Sequence, residues 1–284
     1  MSSVAIVIPI YKNEISDFER ISLQQCYTIL GSYEIKFICP NKMKNGSFHK
    51  LYKKKGIFIF LENENFCSIT QYNHLLLSVS FYQLFTTYTY ILIYQLDCFV
   101  FKDELQFWIN KRYSYIGAPW FNGNSNHDEV NDFMGVGNGG FSLRNINDCI
   151  AVLKSSKKIF GLKQCISQSK PKKKPLNFLR GIKQYIKIDT FKTIHTNTIV
   201  NEDKIFSLAG KRFKFFNIPM PRESIPFSFE MQPKKLYRLN NNQLPFGCHA
   251  WWKYDLNFYI PFFETYGYKI KQTSQSNLKN NGNE

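Results

Sequence analysis

Two stretches leave little freedom in how this chain folds. Residues 4–10 read VAIVIPI and residues 90–96 read YILIYQL, runs in which apolar residues follow one another without alternating with polar ones. A strand with one wet face alternates with period two, so a run that does not alternate belongs in a sheet covered on both sides. Helical spacing of Ile15, Phe18, Ile21, Cys26, Ile29 and Leu30, interrupted by Ser22, follows the first run. Strand-like EIKFICP (34–40) and GIFIFLE (56–62), a helix over 69–84 and a short helix over 103–110 complete the first hundred or so residues. Strands alternating with helices predict an α/β chain with a mostly parallel central sheet flanked by helices, in which ligands bind beyond the carboxyl ends of the strands. The second apolar run ends on Asp97, which therefore stands at such an end.

Further along, 114–120 (SYIGAPW) and 135–145 (GVGNGGFSLRN) read as strands, and a helix is expected from NEDKIFSLAG (201–210), with Asn201 as its cap. A chain of 284 residues with 44% hydrophobic and 20% charged residues fits one large domain over 1–270, and the polar, aromatic-free 271–284 reads as a disordered tail. No apolar run approaches the roughly 20 residues of a spanning helix. Residues 3–10 lack the basic start and cleavage site of a secretory leader. Seven scattered cysteines without CxxC pairs fit reduced thiols and a cytoplasmic setting.

The net charge of +16 is concentrated. Residues 151–195 hold twelve Lys and Arg against one acid, Asp189, and their PKKKP core (171–175) is a poor helix or strand candidate. This lysine-rich insertion reads either as a solvated face or as a dock for an anionic membrane surface or an acidic acceptor. Nucleic acid fits less well, because aromatics are not interleaved with the lysines.

Asp97 is costly to bury unless it is paired, hydrogen-bonded or bound to a metal. The glycines of GVGNGGFSLR allow close approach of backbone to a neighbour, although a tight hairpin explains them as well. His249 beside Trp251 and Trp252, and the acids Glu202 and Asp203, are by themselves compatible with plain packing and an ordinary helix start.

In this order, IVIPIYKNE, YILIYQLDCFVF, YIGAPW, GVGNGGFSLR, NEDKIF, FSFE and LPFGCHAW resemble the signature segments of a bacterial and fungal family of uncharacterised domains regarded as GT-A-type glycosyltransferases. The resemblance covers about residues 3–262, outside the lysine-rich part and the tail. It implies transfer of a sugar from a nucleotide-diphosphate donor to a hydroxyl of a glycan or lipid-linked glycan in surface polysaccharide synthesis, in the cytoplasm, and the basic insertion, where it serves as a dock, adds a peripheral position on the inner face of the membrane. It also implies Mn²⁺ or Mg²⁺ on a DxD-type motif. Here that motif reads Gln95-Leu96-Asp97, so one acid is an amide, and His249 is the candidate second ligand beside Asp97. Asp203, with Glu202 second, is the expected general base of an inverting reaction. Pro9, Tyr11, Tyr72, Asn73, Gln95, Asp97, Gly139, Gly140 and Arg144 would surround the donor, Arg144 either fixing the loop or touching diphosphate. Trp120, Trp251 and Trp252 are sugar platforms or core residues. Two other readings share the scaffold: an inactive glycan- or nucleic-acid-binding module, and a sugar nucleotidyltransferase, against which stands the lack of a glycine-rich basic loop after the first strand.

Overall fold

The computed structural model describes residues 3–121, 133–162, 165, 174–194 and 201–270. The expected tail and most of the PKKKP core lie outside them. Six strands form the central sheet: β1 (Val4–Pro9), β2 (Glu34–Pro40), β3 (Ile57–Leu61), β4 (Tyr90–Tyr94), and two more from the middle of the chain, β9 (Phe141–Asn145) and β6 (Tyr115–Ile116). Their order is β3-β2-β1-β4-β9-β6. The first four are parallel, and β9 is antiparallel to both of its neighbours.

Both apolar runs are covered on both faces, as their lack of alternation requires. Along β1, Val4, Ile6 and Ile8 join one core cluster while Val7 joins another, and along β4 Tyr90, Leu92 and Tyr94 separate in the same way from Ile91 and Ile93. Helix Asp17–Leu30 starts at a capping box, in which Ser16 accepts from the Glu19 N–H and Glu19 accepts from the Ser16 N–H. The single helix expected over 69–84 is two, Ile69–Leu76 and Val79–Gln83, because Ser78 caps the second through its hydroxyl.

The two middle strands are also broken. The 114–120 run contributes β6 to the central sheet and then β7 (Pro119–Phe121), which pairs antiparallel with β8 (Phe133–Val136). Between β8 and β9 lies the turn Gly137–Gly140. A helix does form within the lysine-rich insertion, at Lys174–Lys187, starting inside the proline-flanked run. The chain's last third supplies two strands of a small sheet that periodicity did not indicate, β10 (Ser228–Phe229) and β11 (Gly247–Cys248), which join β5 (Phe99–Val100). Its third core cluster includes Trp251, Tyr259 and Phe263 of helix Trp251–Thr265. Among the described residues all seven cysteines are free, and no helix is long and apolar enough to cross a membrane.

Candidate active site

A cleft of about 450 Å³ opens where β1 and β4 end, a size within the roughly 300–1,000 Å³ range of small-molecule sites. Pro9 and Tyr11 contribute from the end of β1, Gln95 and Asp97 from the end of β4, Tyr72 from helix Ile69–Leu76, and Trp252 from the last helix. Tyr11 is 58% exposed. The Tyr72 hydroxyl is buried without an aligned hydrogen-bond partner.

Asp97 faces His249. The chain turns sharply after β4, with the Cys98 N–H donating to Gln95 O at 3.0 Å, and runs into β5. β11 lies antiparallel on β5, pairing Cys248 with Phe99, so the residue after β11 is carried to the turn. His249 Nε2 then lies 3.1 Å from Asp97 Oδ1 and 3.3 Å from Gln95 Oε1. β10 runs parallel to β11 with Phe229 beside Cys248, so Glu230 and His249 leave their strands side by side. The Nδ1 of His249 is 3.0 Å from Glu230 Oε1. Glu230, which sequence reasoning did not single out as a site residue, thus orients the imidazole. The signal was present in FSFE, but only strand pairing explains why that acid meets this histidine.

An imidazole between two carboxylates is electrostatically committed. Burial pushes the His249 pKa down, yet Asp97 and then Glu230 raise it to about 10. Burial likewise pushes Asp97 up, and the nearby His249 more than reverses this, leaving it below the ordinary carboxylate value.

The second half of the site hangs on the Gly137–Gly140 turn. Asn138 sits at φ 76°, a left-handed conformation that Asn tolerates better than most residues. Its side-chain oxygen accepts from the Gly140 and Phe141 N–H groups, and its own N–H donates to Asp203 Oδ2 at 3.1 Å. A Cβ on Gly139 would fall 2.2 Å from Glu202 Oε1, and one on Gly140 2.1 Å from His249 Nε2. The bare backbone there makes room for those two side chains.

Arg144 is fully buried and spends its donors on protein. It contacts Glu202 Oε1 at 2.8 Å, the Tyr82 hydroxyl at 3.1 Å, Gly139 O at 3.2 Å and Ser142 Oγ at 3.0 Å. Of the two roles open to it, the structure shows the loop-fixing one and leaves no surface for a diphosphate. Glu202, the second candidate base, is committed to that pair and is 5% exposed. Asp203 is 9% exposed, and its oxygens accept the Asn138 and Lys204 N–H groups. Burial, then the neighbouring Glu202, push its carboxyl up to about 7.

Four further residues take places of their own. Asn73 accepts the Glu202 N–H on Oδ1 at 3.0 Å and donates to Ile69 O, so it caps helix Glu202–Arg212 instead of facing the cleft. Asn201, expected to be that cap, makes no side-chain cap bond. Trp251 is wholly buried, donating to Ser22 Oγ and packing 5.1 Å from the Phe18 ring, so it is core and not a platform. Trp120 lies against the bare Cα of Gly137, away from the cleft lining, and Trp252 alone of the three tryptophans borders the cleft.

The residues present fit a divalent cation. Asp97 Oδ1 is buried and receives no well-directed hydrogen bond, and the missing Cβ of Gly140 leaves space at Nε2. The 3.1 Å between Oδ1 and Nε2 is about the spacing of adjacent ligands on an octahedral ion with bonds near 2.1 Å. Glu230 behind Nδ1 is the outer carboxylate that ligating histidines usually have. Cys98 Sγ is also near Asp97 and His249, but it donates to Gly140 O at 3.1 Å, and burial holds its thiol well above the usual value.

Residues 57–249 match the family described as Protein of unknown function (DUF5672). The chain belongs to that family. The matched stretch runs from β3 to His249, so Gln95, Asp97, the glycine turn, Asp203, Glu230 and His249 all lie within it. No curated protein matches the chain. Among solved structures it is similar to apo mouse xyloside xylosyltransferase 1 (10% identity, 86% of this chain and 96% of that one, TM-score 0.46). It is also similar to an active-site mutant of the galactosyltransferase LgtC (13%, 94% and 98%, 0.47). A third is the apo glycosyltransferase GlyE of Streptococcus pneumoniae (13%, 88% and 54%, 0.43).

Proposed function

We propose that this DUF5672 chain transfers a sugar from a nucleotide-diphosphate sugar to a hydroxyl of a glycan or lipid-linked glycan, with inversion. The observation that carries the reading is the meeting of Asp97, His249 and Glu230 at the carboxyl ends of the parallel strands, beside a cleft lined by Tyr11, Tyr72 and Trp252. Asp97 and His249 would hold Mn²⁺ or Mg²⁺, with the Gln95 amide oxygen as a neutral third donor. When bound, such an ion offsets the charge that develops on a departing diphosphate.

The chain's own residues supply the rest. Tyr11, exposed at the end of β1, offers a face for the nucleotide base, and the orphaned Tyr72 hydroxyl offers a hydrogen bond to the donor. Trp252, which lines the cleft, offers an apolar ring to a sugar. Asp203 is the base: with a pKa near 7 it can be ionised at neutral pH and still hold a proton well. It takes the proton of the acceptor hydroxyl as that oxygen bonds to the anomeric carbon and the bond to diphosphate breaks. Arg144 and Glu202 keep the turn and the start of the helix in place while this happens.

The test is incubation of the protein with a panel of nucleotide sugars and Mn²⁺, following nucleoside diphosphate release. Slow hydrolysis of one donor, lost in Asp97→Ala and Asp203→Asn, is expected. No binding or turnover of any donor, with or without metal, would overturn the proposal.

A further inference from the structure

The described part of the lysine-rich insertion is stitched to the far end of helix Glu202–Arg212. Lys158 Nζ donates to the carbonyls of Ile186 and Ile188, Arg212 Nη2 donates to Lys158 O at 3.1 Å, and Lys157 Nζ donates to Arg212 O. The Lys157 ammonium also lies 4.8 Å from the Phe213 ring centre, and that ring meets Phe215 at 5.4 Å. Beneath this face Ile159, Phe191 and Phe216 are buried in the core. Lys157, Lys158 and Arg212 are therefore struts that hold the insertion down.

A second set of cations is free of such duty. Lys154, Lys183, Lys187, Lys192, Lys211 and Lys214 are exposed, and none takes part in a salt bridge among the described residues. Set among them are two large apolar side chains in water, Ile186 at 68% and Phe215 at 49% exposed. Cations alone would suit any polyanion. Cations mixed with exposed apolar side chains suit a bilayer surface, where lysines meet headgroup phosphates and apolar side chains reach the acyl boundary. A nucleic acid would satisfy the lysines and leave Ile186 and Phe215 in water.

We propose that this face docks the protein on a bilayer containing anionic phospholipid. Helix Glu202–Arg212 carries Asp203 near one end and Lys211 near the other, eight residues or about 12 Å apart along its axis at about 1.5 Å each, so the helix links the docked face to the candidate site. The docking does not depend on the sugar-transfer reading and stands or falls separately.

Co-sedimentation of the full chain with phosphatidylcholine vesicles, with and without phosphatidylglycerol, tests it. Binding is expected only to the anionic vesicles and is weakened by salt. Lys183→Glu with Lys187→Glu should lower partitioning by at least about 25-fold, since each lysine lost costs about fivefold. Ile186→Ser with Phe215→Ser should lower the binding that survives high salt, while the protein stays folded by circular dichroism at the assay temperature. Equal binding to neutral vesicles, binding to neither, or tighter binding to a DNA duplex than to anionic vesicles would overturn the proposal.

Discussion

Replacing Asp203 by Asn should change the sign of its effect on stability as pH changes. In the folded protein this carboxyl is raised from 3.8 to about 7, first by burial and then by Glu202. The folded state therefore holds its proton more tightly than the unfolded chain does, and the wild type loses stability as pH rises from about 4 to about 7, by at most roughly 4 kcal/mol from this group. Asn carries no charge and escapes that loss. It has one oxygen where Asp203 uses two, however, so either the Asn138 or the Lys204 N–H is left without an acceptor. An unmade buried hydrogen bond costs about 1–3 kcal/mol at every pH. The variant should thus be less stable than wild type near pH 4 by about 1–3 kcal/mol and more stable near pH 8 by a similar amount. Urea unfolding at pH 4, 6 and 8 measures the difference, and donor hydrolysis by the same variant should be abolished at every pH. A stability difference that stays constant from pH 4 to pH 8 would show that Asp203 titrates as an ordinary carboxyl, and the argument for it as a tuned base would fail.

Other perturbations have equally direct readouts. Arg144→Met leaves Glu202 buried without its partner, and a loss of about 3–5 kcal/mol in unfolding free energy is expected. Gly140→Ala drives a methyl against His249 Nε2, so Mn²⁺ affinity measured by calorimetry should fall sharply, while an unchanged affinity would mean the imidazole is not the ligand. Glu230→Gln weakens the hold on Nδ1, and metal affinity should drop by about 10–100-fold. The raised His249 pKa stabilises the metal-free protein fully below its unfolded value of 6.5, and that contribution should disappear as pH rises through about 10, flattening in His249→Gln.

How much of this was readable beforehand depends on the range over which each signal acts. Runs such as VAIVIPI report their own burial, because covering both faces of a strand is a local demand on composition. The parallel sheet and the position of Asp97 at a strand end follow from that. The roles of Glu202 and Asp203 did not, because adjacent acids at a helix start look alike in sequence. What separates them is Arg144, 58 residues away, buried against one and not the other. Asn73, a candidate ligand contact by sequence, caps a helix 129 residues on, and Asn201, in the local cap position, is passed over. Trp251 and Trp252 are neighbours of identical chemistry, both against the Phe18 ring, and only the full burial of Trp251, with its indole N–H on Ser22 Oγ, decides which one is core. The pairing of His249 with Glu230 rests on two-residue strands, too short to leave any periodicity.

The small sheet of β5, β10 and β11 also has a bearing on time. Asp97 leaves the ribosome long before His249, and at about 5–20 residues per second the intervening chain takes on the order of ten seconds or more to make. During that interval the strand end, the turn and Asp203 can form, but the imidazole that completes the pair is absent. Helix Trp251–Thr265, whose first residue packs on Phe18 and Ser22 of the first helix, closes this gap from the opposite end of the chain. Competence thus arrives as a late event in synthesis, and a truncated product that ends before β11 contains all six strands of the central sheet yet lacks His249.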